Sequence, residues 1–339
     1  MPSALLPSIE EAFSLVSGPL ENVKRSLKTI VPPDSVALAE SVRHSLGGGG
    51  KYMRPAITLL AGAATAQQNP TQQEQTVETA AVAEMIHVAT LLHDDVIDHS
   101  ELRRGRKTVR AIWGNKISVL SGDYLLAQAS VKLAKLGNNR LVSIFAHVLA
   151  DLCDGEVEQL HHSYTLEPSW ESYYKKTICK TASLFSAGCE SAGVINGLFE
   201  EHIQALKLYG RNFGIAFQIM DDLLDYTATE AEMGKPVLDD LRNGLMNAPI
   251  LLALESDKLS PDEREALQGH IQALFNEPDN EAPIPQIRQL LERCDALGQT
   301  RQLAEQYVTE AGQALDFVPD SPEKRALLAL VSYVIQRRN

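Results

Sequence analysis

The chain has 339 residues, 44% of them apolar and 22% charged, with 31 Lys and Arg against 44 Asp and Glu for a formal net charge of −13. That composition excludes general disorder and leaves enough chain for a substantial core. The acid excess also argues against a broad nucleic-acid footprint, which needs clustered Lys and Arg.

At the N-terminus, Met1 to Ser8 lacks the basic start and apolar stretch of a signal peptide, and Glu10, Glu11 and Glu21 precede Lys24 and Arg25, unlike a transit leader. Helical periodicity then dominates. In Glu78 to Asp98, Ala81, Met85, Val88 and Leu92 recur at three- and four-residue steps, as on a buried helix face. Further helices are expected over Lys116 to Lys135, Leu141 to His161, Ser169 to Ala192, Glu200 to Tyr226 and Asn247 to Glu255. Four more follow at Asp262 to Phe275, Gln286 to Ala296, Thr300 to Leu315 and Ser321 to Arg338. Strand signals are scarce, with no Asn-Gly hairpin between alternating runs. The punctuation, such as Pro32-Pro33, Gly47 to Gly50, Asn69-Pro70 and Asn276 to Pro285, is too short for an interdomain linker. The expectation is one all-α domain over residues 1–339, a bundle of about a dozen helices.

No apolar run approaches the roughly 18 residues of a membrane helix. Cys153, Cys179, Cys189 and Cys294 match neither a metal knuckle nor a disulfide framework. Reduced packing cysteines and a cytoplasmic location are the expected reading.

Two octets resemble each other, Leu91-Leu92-His93-Asp94-Asp95-Val96-Ile97-Asp98 and Gln218-Ile219-Met220-Asp221-Asp222-Leu223-Leu224-Asp225. In each, the first and last aspartates stand at i and i+4, so both carboxylates leave one helical face with Cβ atoms about 5–6 Å apart. Carboxylate oxygens suit Mg²⁺, which keeps waters and completes its shell with phosphate oxygens. A solitary motif of this kind on a solvated helix is ordinary surface charge. Here it occurs twice, in apolar flanks where unpaired charge is costly.

Basic residues suit an anionic ligand: Arg103-Arg104-Gly105 follows Asp98, Gly47-Gly48-Gly49-Gly50-Lys51-Tyr52-Met53-Arg54-Pro55 opens a helix, and Lys180-Thr181 and Gly234-Lys235-Pro236 add two cations. A glycine run before a helix start can bring backbone N–H groups to a phosphate. Each element alone is equally a solvated turn or a connector; together with the carboxylates they describe anion sites beside a metal.

GGGGKYMRP, HVATLLHDDVIDHSELRRG, SGDYLL, KTASL, GIAFQIMDDLLD and GKPVLDDL, in this order, resemble the trans-type polyprenyl diphosphate synthases. The matching segments run from about Gly47 to Pro249, and the helical tail through Tyr333-Val334 is also similar to bacterial members. The resemblance implies the all-α isoprenoid synthase fold around a central cavity, a homodimer, and typically three Mg²⁺ ions held by Asp94, Asp98 and Asp221, with Asp95, Asp222 and Asp225 assisting directly or through water. It further implies that Arg103, Lys180 and Lys235 bind the allylic diphosphate, and that Lys51, Arg54, His87 and Arg104 hold isopentenyl diphosphate. Thr181 and Gln218 would lie near the reacting carbons, where their oxygen dipoles stabilise an allylic cation.

The implied reaction is metal-triggered ionisation of the allylic diphosphate, attack by isopentenyl diphosphate, and proton loss. His93, His99, His161 and His162 read as structural or surface residues, and Tyr124, Tyr173, Tyr174 and Phe217 as core. Tyr52, Leu238 and Leu245 depart from the family pattern, at positions where many relatives carry Arg or His, Gly, and Lys.

Ala89 and Thr90, five and four residues before Asp94, with Met85 and Ile86 a turn earlier, would line the tunnel for the growing chain. Short-chain members typically close this tunnel with aromatic side chains, which are missing here. By this analogy the expected product is long, about C30 to C50, of the kind used for quinone side chains. The alternatives are a farnesyl or geranylgeranyl synthase, a terpene cyclase, and a non-catalytic subunit that binds prenyl diphosphate.

Overall fold

The structure, a computed structural model, describes residues 6–31, 34–66, 69–227 and 237–337. Among the described residues it is all-α apart from one two-stranded ladder. In chain order the helices are α1 (Ile9–Ser14), α2 (Ser17–Lys28), α3 (Val36–Leu46), α4 (Met53–Thr65) and α5 (Pro70–Ile97). Strands β1 (Leu102–Arg103) and β2 (Arg106–Lys107) lead to α6 (Val109–Trp113), α7 (Asn115–Lys135), α8 (Asn139–His162) and α9 (Trp170–Thr177). A π-helical turn, Ile178–Ala182, separates α9 from α10 (Ser183–Ile195), and α11 (Glu200–Thr227) follows. The last are α12 (Asp239–Arg242), α13 (Ala248–Glu255), α14 (Pro261–Asn276), α15 (Ile284–Cys294), α16 (Ala296–Ala314) and α17 (Pro322–Gln336).

The helices from α7 onward begin and end close to the expected positions, apart from the short α12, which was not expected. Helices α1 to α3 and the short α6 were not expected, and α5 begins eight residues before Glu78. Its first two turns, rich in Gln and Thr, carry no apolar stripe, and the start is set by the Asn69 side chain, which accepts from Thr71 N–H at 3.0 Å, with Pro70 as the first helical residue. The expected continuous helix over Ser169 to Ala192 is interrupted by the π turn. The ladder is a second difference from expectation. Leu102 pairs with Lys107 and Arg103 with Arg106, and the two connecting residues, Arg104 (φ 51°) and Gly105 (φ 73°), both have positive φ, the requirement of a type I′ connection.

The chain forms two compact units. One comprises Met1–His147, Leu184–Gly210 and Ala314–Leu330. Within it, α5 packs against α2, α4 and α7. Its middle is buried on every side, through Thr79, Ala80, Ala81, Val82, Ala83, Glu84, Met85 and Ile86. A helix buried all round is central, so the aspartates at its end sit on a rigid support.

The other unit comprises Val148–Ser183, Arg211–Gln313 and Val331–Asn339. Its core joins Tyr226 and Leu238 to Leu241, Ile250, Leu267, Ile271, Leu274, Ile287 and Leu291. Each such buried aliphatic side chain contributes roughly 1.5–3 kcal/mol relative to exposure. Among the described residues no helix is long and apolar enough to cross a membrane. All four cysteines are free; Cys189 and Cys294 are buried, Cys179 partly so, and Cys153 exposed.

Candidate active site

The expected site residues fall into two sets, one in each unit. In the first, α5 ends at Asp98, whose backbone N–H donates to Asp94 O at 2.8 Å. The three aspartates of this motif thus occupy the last turn of α5 and its cap. That is the negative end of the helix dipole, where a carboxylate is disfavoured and a cation favoured. Asp95 is buried and already has a cation, accepting from Arg103 Nε at 2.8 Å. The hairpin therefore fastens Arg103 to the first motif and turns Arg104 the other way, where its Nη1 donates to Gly49 O at 3.2 Å. Arg106 Nη1 donates to Gly47 O at 2.7 Å.

The glycine loop is thus gripped through its carbonyls, and the N–H groups of Gly47 and Gly48 close the last turn of α3. The loop's first amides are accordingly not turned to a ligand, as the glycine run suggested. Helix α4 starts at Met53, behind Tyr52 in the left-handed region, φ 50°. A pocket of about 70 Å³ opens beside the hairpin, lined by Asp95, Arg103, Arg104 and Arg106 among others.

Two further members of the set, His87 and Arg54, lie within electrostatic reach of each other. Burial first, and then the guanidiniums of Arg54, Arg104 and Arg103, hold the His87 imidazole well below the usual histidine range. Three of the expected diphosphate-binding arginines therefore act on one neutral imidazole two turns before Asp94. Arg54 lies over the Phe185 ring, 4.7 Å from its centroid. Lys51 is exposed. Of the expected tunnel residues, Met85, Ile86 and Ala89 are fully buried and Thr90 partly so, its Oγ1 donating to His87 O at 2.8 Å.

In the second unit the π turn carries Lys180 and Thr181. The turn adds a residue without breaking the helix, a device often found at functional sites. It packs on α11 at Gly214, where a Cβ would come within 2.4 Å of Ala182 Cα, so only glycine permits the approach. Thr181 Oγ1 donates to Gln218 Oε1 at 2.7 Å, and Gln218 Nε2 donates to Asp222 Oδ1 at 2.9 Å. Tyr173 O–H donates to Asp222 Oδ2 at 2.6 Å. Burial raises the Asp222 carboxyl to about 6, against the pull of Lys176.

Asp225 accepts from the backbone N–H groups of Asp239 and Asp240 at 3.2 and 3.1 Å, so it caps α12. Asp221 is the most exposed aspartate of this motif and pairs with Arg337 Nη2 at 2.8 Å. Lys180 forms an ion pair with Glu156 and donates to Gln159 Oε1 at 3.0 Å. Lys235 lies outside the described residues.

Three residues near these sets escaped the sequence reading. Tyr173, read as core, fixes a motif carboxylate. Arg337 covers Asp221 while lying 4.1 Å from the Phe217 ring centroid; its signal was the Arg337-Arg338 pair after an apolar helix. Glu84 is a buried acid on α5 with no motif around it.

The donor set fits a hard cation. Carboxylates gather at the C-terminal ends of α5 and α11, and Asp221 draws a guanidinium onto itself. Among the described residues no three His, Cys, Asp or Glu side chains close into a complete metal cage. An ion that keeps its waters and takes phosphate oxygens needs none.

Comparison with known proteins gives matches along nearly the whole chain. A family model described as polyprenyl synthetase matches residues 35–291. Heptaprenyl diphosphate synthase component 2 of Bacillus subtilis is 32% identical over 327 residues, covering 96% of this chain and 90% of its own. A decaprenyl diphosphate synthase structure from Rhodobacter capsulatus superposes with a TM-score of 0.88 at 34% identity, covering 98% of this chain and 99% of the other. A polyprenyl synthase from Caulobacter crescentus, complexed with calcium and isoprenyl diphosphate, gives a TM-score of 0.88 at 33% identity, with 99% and 100% covered. With its helical architecture, its paired aspartate motifs and these matches along nearly its whole length, the chain belongs to the polyprenyl synthetase family.

Proposed function

We propose that the protein is a trans-prenyltransferase that joins isopentenyl diphosphate to an allylic diphosphate, head to tail, and repeats the step to a long-chain polyprenyl diphosphate. The observation that carries this is the end of α5, where the Asp94–Asp98 pair follows His87 by two turns and the buried Asp95 is paired with Arg103 at 2.8 Å, while burial and the charges of Arg54, Arg104 and Arg103 hold the His87 imidazole well below its usual range. In this reading Asp94, Asp98 and Asp221 hold Mg²⁺, three ions in all, while Asp95, Asp222 and Asp225 are fixed by Arg103, by Tyr173 and Gln218, and by the start of α12. Bound Mg²⁺ supplies Lewis-acid neutralisation of the diphosphate leaving group. Arg103, Lys180 and Lys235 bind the allylic diphosphate. Lys180 reaches it by exchanging Glu156 for phosphate.

Lys51, Arg54, His87 and Arg104 anchor isopentenyl diphosphate, with His87 donating from its neutral ring. Thr181 and Gln218 orient oxygen dipoles toward the carbon that becomes cationic, and their mutual hydrogen bond preorganises them. The departing diphosphate accepts the final proton, so no dedicated protein base is required.

The heptaprenyl and decaprenyl names of the relatives support a long product, as does the absence of any aromatic at Met85, Ile86, Ala89 and Thr90. A terpene cyclase is disfavoured, because it needs no second diphosphate site, and a non-catalytic subunit because both aspartate motifs are intact. A homodimer is part of the proposal: α7 exposes Val119, Leu120 and Val131. The name "component 2" of the Bacillus relative makes a second type of subunit the competing outcome. Light scattering on the purified chain separates the two. The free thiols support a cytoplasmic location, checked by cell fractionation. The activity itself is tested with isopentenyl diphosphate, an allylic primer and Mg²⁺: wild type extends the primer, and D94N and D221N each lose about 10²-fold or more in kcat.

A further inference from the structure

We propose that Arg106 and His44 are positioning residues of the isopentenyl diphosphate subsite, a clamp that orders the glycine loop so that Lys51 and Arg104 stand ready for the substrate's diphosphate. The proposal rests on the reading that Lys51 and Arg104 bind that substrate.

Gly47 to Gly50 are four consecutive glycines, the residue with the most backbone freedom to lose, and Lys51 follows them directly. The amides of Gly47 and Gly48 tie the first half of this loop to α3, through Arg43 O at 2.9 Å and Ser45 O at 3.2 Å. Its carbonyls are held from the hairpin, Gly47 O by Arg106 Nη1 at 2.7 Å and Gly49 O by Arg104 Nη1 at 3.2 Å. In the proposed reaction Arg104 is shared with the substrate, so its hold on the loop is the one that binding rearranges. Arg106 has a second tether. Its Nη2 lies 3.2 Å from His44 Nδ1, and His44 Nε2 lies 2.8 Å from Lys107 O. A guanidinium can only donate and a carbonyl only accept, so these contacts select the neutral ring with its proton on Nε2. The same ring packs edge-on against Trp113, centroids 5.5 Å apart. Arg103, Arg104, Arg106 and Lys107 crowd four cations into five residues, and they repel one another. A neutral imidazole and a carbonyl hold one of those cations in place without adding charge. Contacts thus run from α3 through the loop to the hairpin and back to α3, which leaves less ordering to be done when a diphosphate arrives.

His44 separates a clamp from a direct ligand. Both of its ring nitrogens face protein, so H44F affects substrate binding through Arg106. Steady-state kinetics of R106Q, H44F, the R106Q/H44F double variant and R104Q decide. R106Q is expected to raise KM for isopentenyl diphosphate about tenfold while KM for the allylic primer stays within about twofold, because Arg103 keeps its own tie to Asp95. H44F, which keeps a ring against Trp113, raises the same KM about threefold and adds less than about twofold in the R106Q background. Backbone nitrogen relaxation of the free protein gives a second readout: the Gly49 and Gly50 amides become more mobile in R106Q and H44F than in wild type.

A raised KM in R106Q beside an unchanged KM in H44F makes Arg106 a direct ligand and overturns the clamp. A raised KM with the glycine amides as ordered as in wild type overturns it too. Equal losses on the two substrates, or fully multiplicative losses in the double variant, make both residues structural and likewise count against the proposal. Unchanged KM in R106Q and H44F, while R104Q raises it, removes the clamp and leaves the substrate reading intact; unchanged KM in R104Q removes both. If R106Q does not fold, H44F alone is read against R104Q, with the same selective rise in KM expected and an unchanged KM refuting the clamp.

Discussion

Leu238 is one of the departures from the family pattern, and its backbone explains why glycine is common there. The residue sits in the left-handed region, φ 56° and ψ 36°, at the start of α12. A leucine pays roughly 1–2 kcal/mol for that conformation. It is nevertheless fully buried in the core of its unit, and loss of a buried leucine side chain costs about 2–5 kcal/mol. Burial is the larger effect, so L238G is expected to lower stability by about 1–3 kcal/mol in urea unfolding, despite relieving the strain.

His87 carries a second prediction. Its folded pKa is depressed, so the unfolded chain binds more protons below the ordinary histidine range, and this group makes stability fall as pH drops through about 6.5. The His87 ring signals in NMR should stay at neutral-imidazole positions from pH 8 to 6; a midpoint within that window would mean that the ring is not buried beside the arginines as the structure has it. Arg337 gives a third. As the internal cation on Asp221, it opposes metal entry, so R337Q should bind Mn²⁺ several-fold tighter than wild type without substrate, read by electron paramagnetic resonance. Equal or weaker binding removes that competition.

The elements show what could and could not be read in advance. Both aspartate octets stood out because a spacing of i and i+4 on a helix is a local property, fixed by the helical period alone. The long apolar helices were equally legible. The first helices were not, since α2 and the opening of α5 mix Ser, Thr, Gln and Glu with few apolar residues, and their boundaries lie in caps such as Asn69 and not in a stripe. The Arg104-Gly105 hairpin was missed because arginine is a poor signal for positive φ. Partners distant in sequence, such as Tyr173 with Asp222 and Arg337 with Asp221, leave no spacing pattern at all.

The hairpin offers a check at this scale. Gly105 at φ 73° has open space around it, so G105A tests conformation and not packing. It is expected to lower stability by about 1–2 kcal/mol and to raise KM for both diphosphates, since Arg103 and Arg104 flank the turn. Helix α5 offers another. Ala89 is buried five residues before Asp94, and A89F should shorten the products on chromatography; an unchanged product distribution counts against the tunnel.

For the molecule as a whole, the net charge of −13 and the affinity for polyanions are compatible because the acids are unevenly used. Asp94, Asp95 and Asp98 end one buried helix, and Asp221, Asp222 and Asp225 lie near the end of another. In the proposed site, divalent ions bound to them would reverse the local sign, while arginines beside the first motif supply fixed positive charge. The same distribution predicts no appreciable binding of nucleic acid at physiological salt, and it makes diphosphate binding dependent on divalent metal. Chelation with EDTA should abolish turnover and restored Mg²⁺ should recover it. The most direct test is a single incubation of the purified chain with labelled isopentenyl diphosphate, Mg²⁺ and, in turn, three allylic primers, with the products resolved by length. The account predicts all-trans products in the range of about C30 to C50. Products that stop at farnesyl or geranylgeranyl length, a cyclised hydrocarbon released without use of isopentenyl diphosphate, or no product from the chain alone would contradict it.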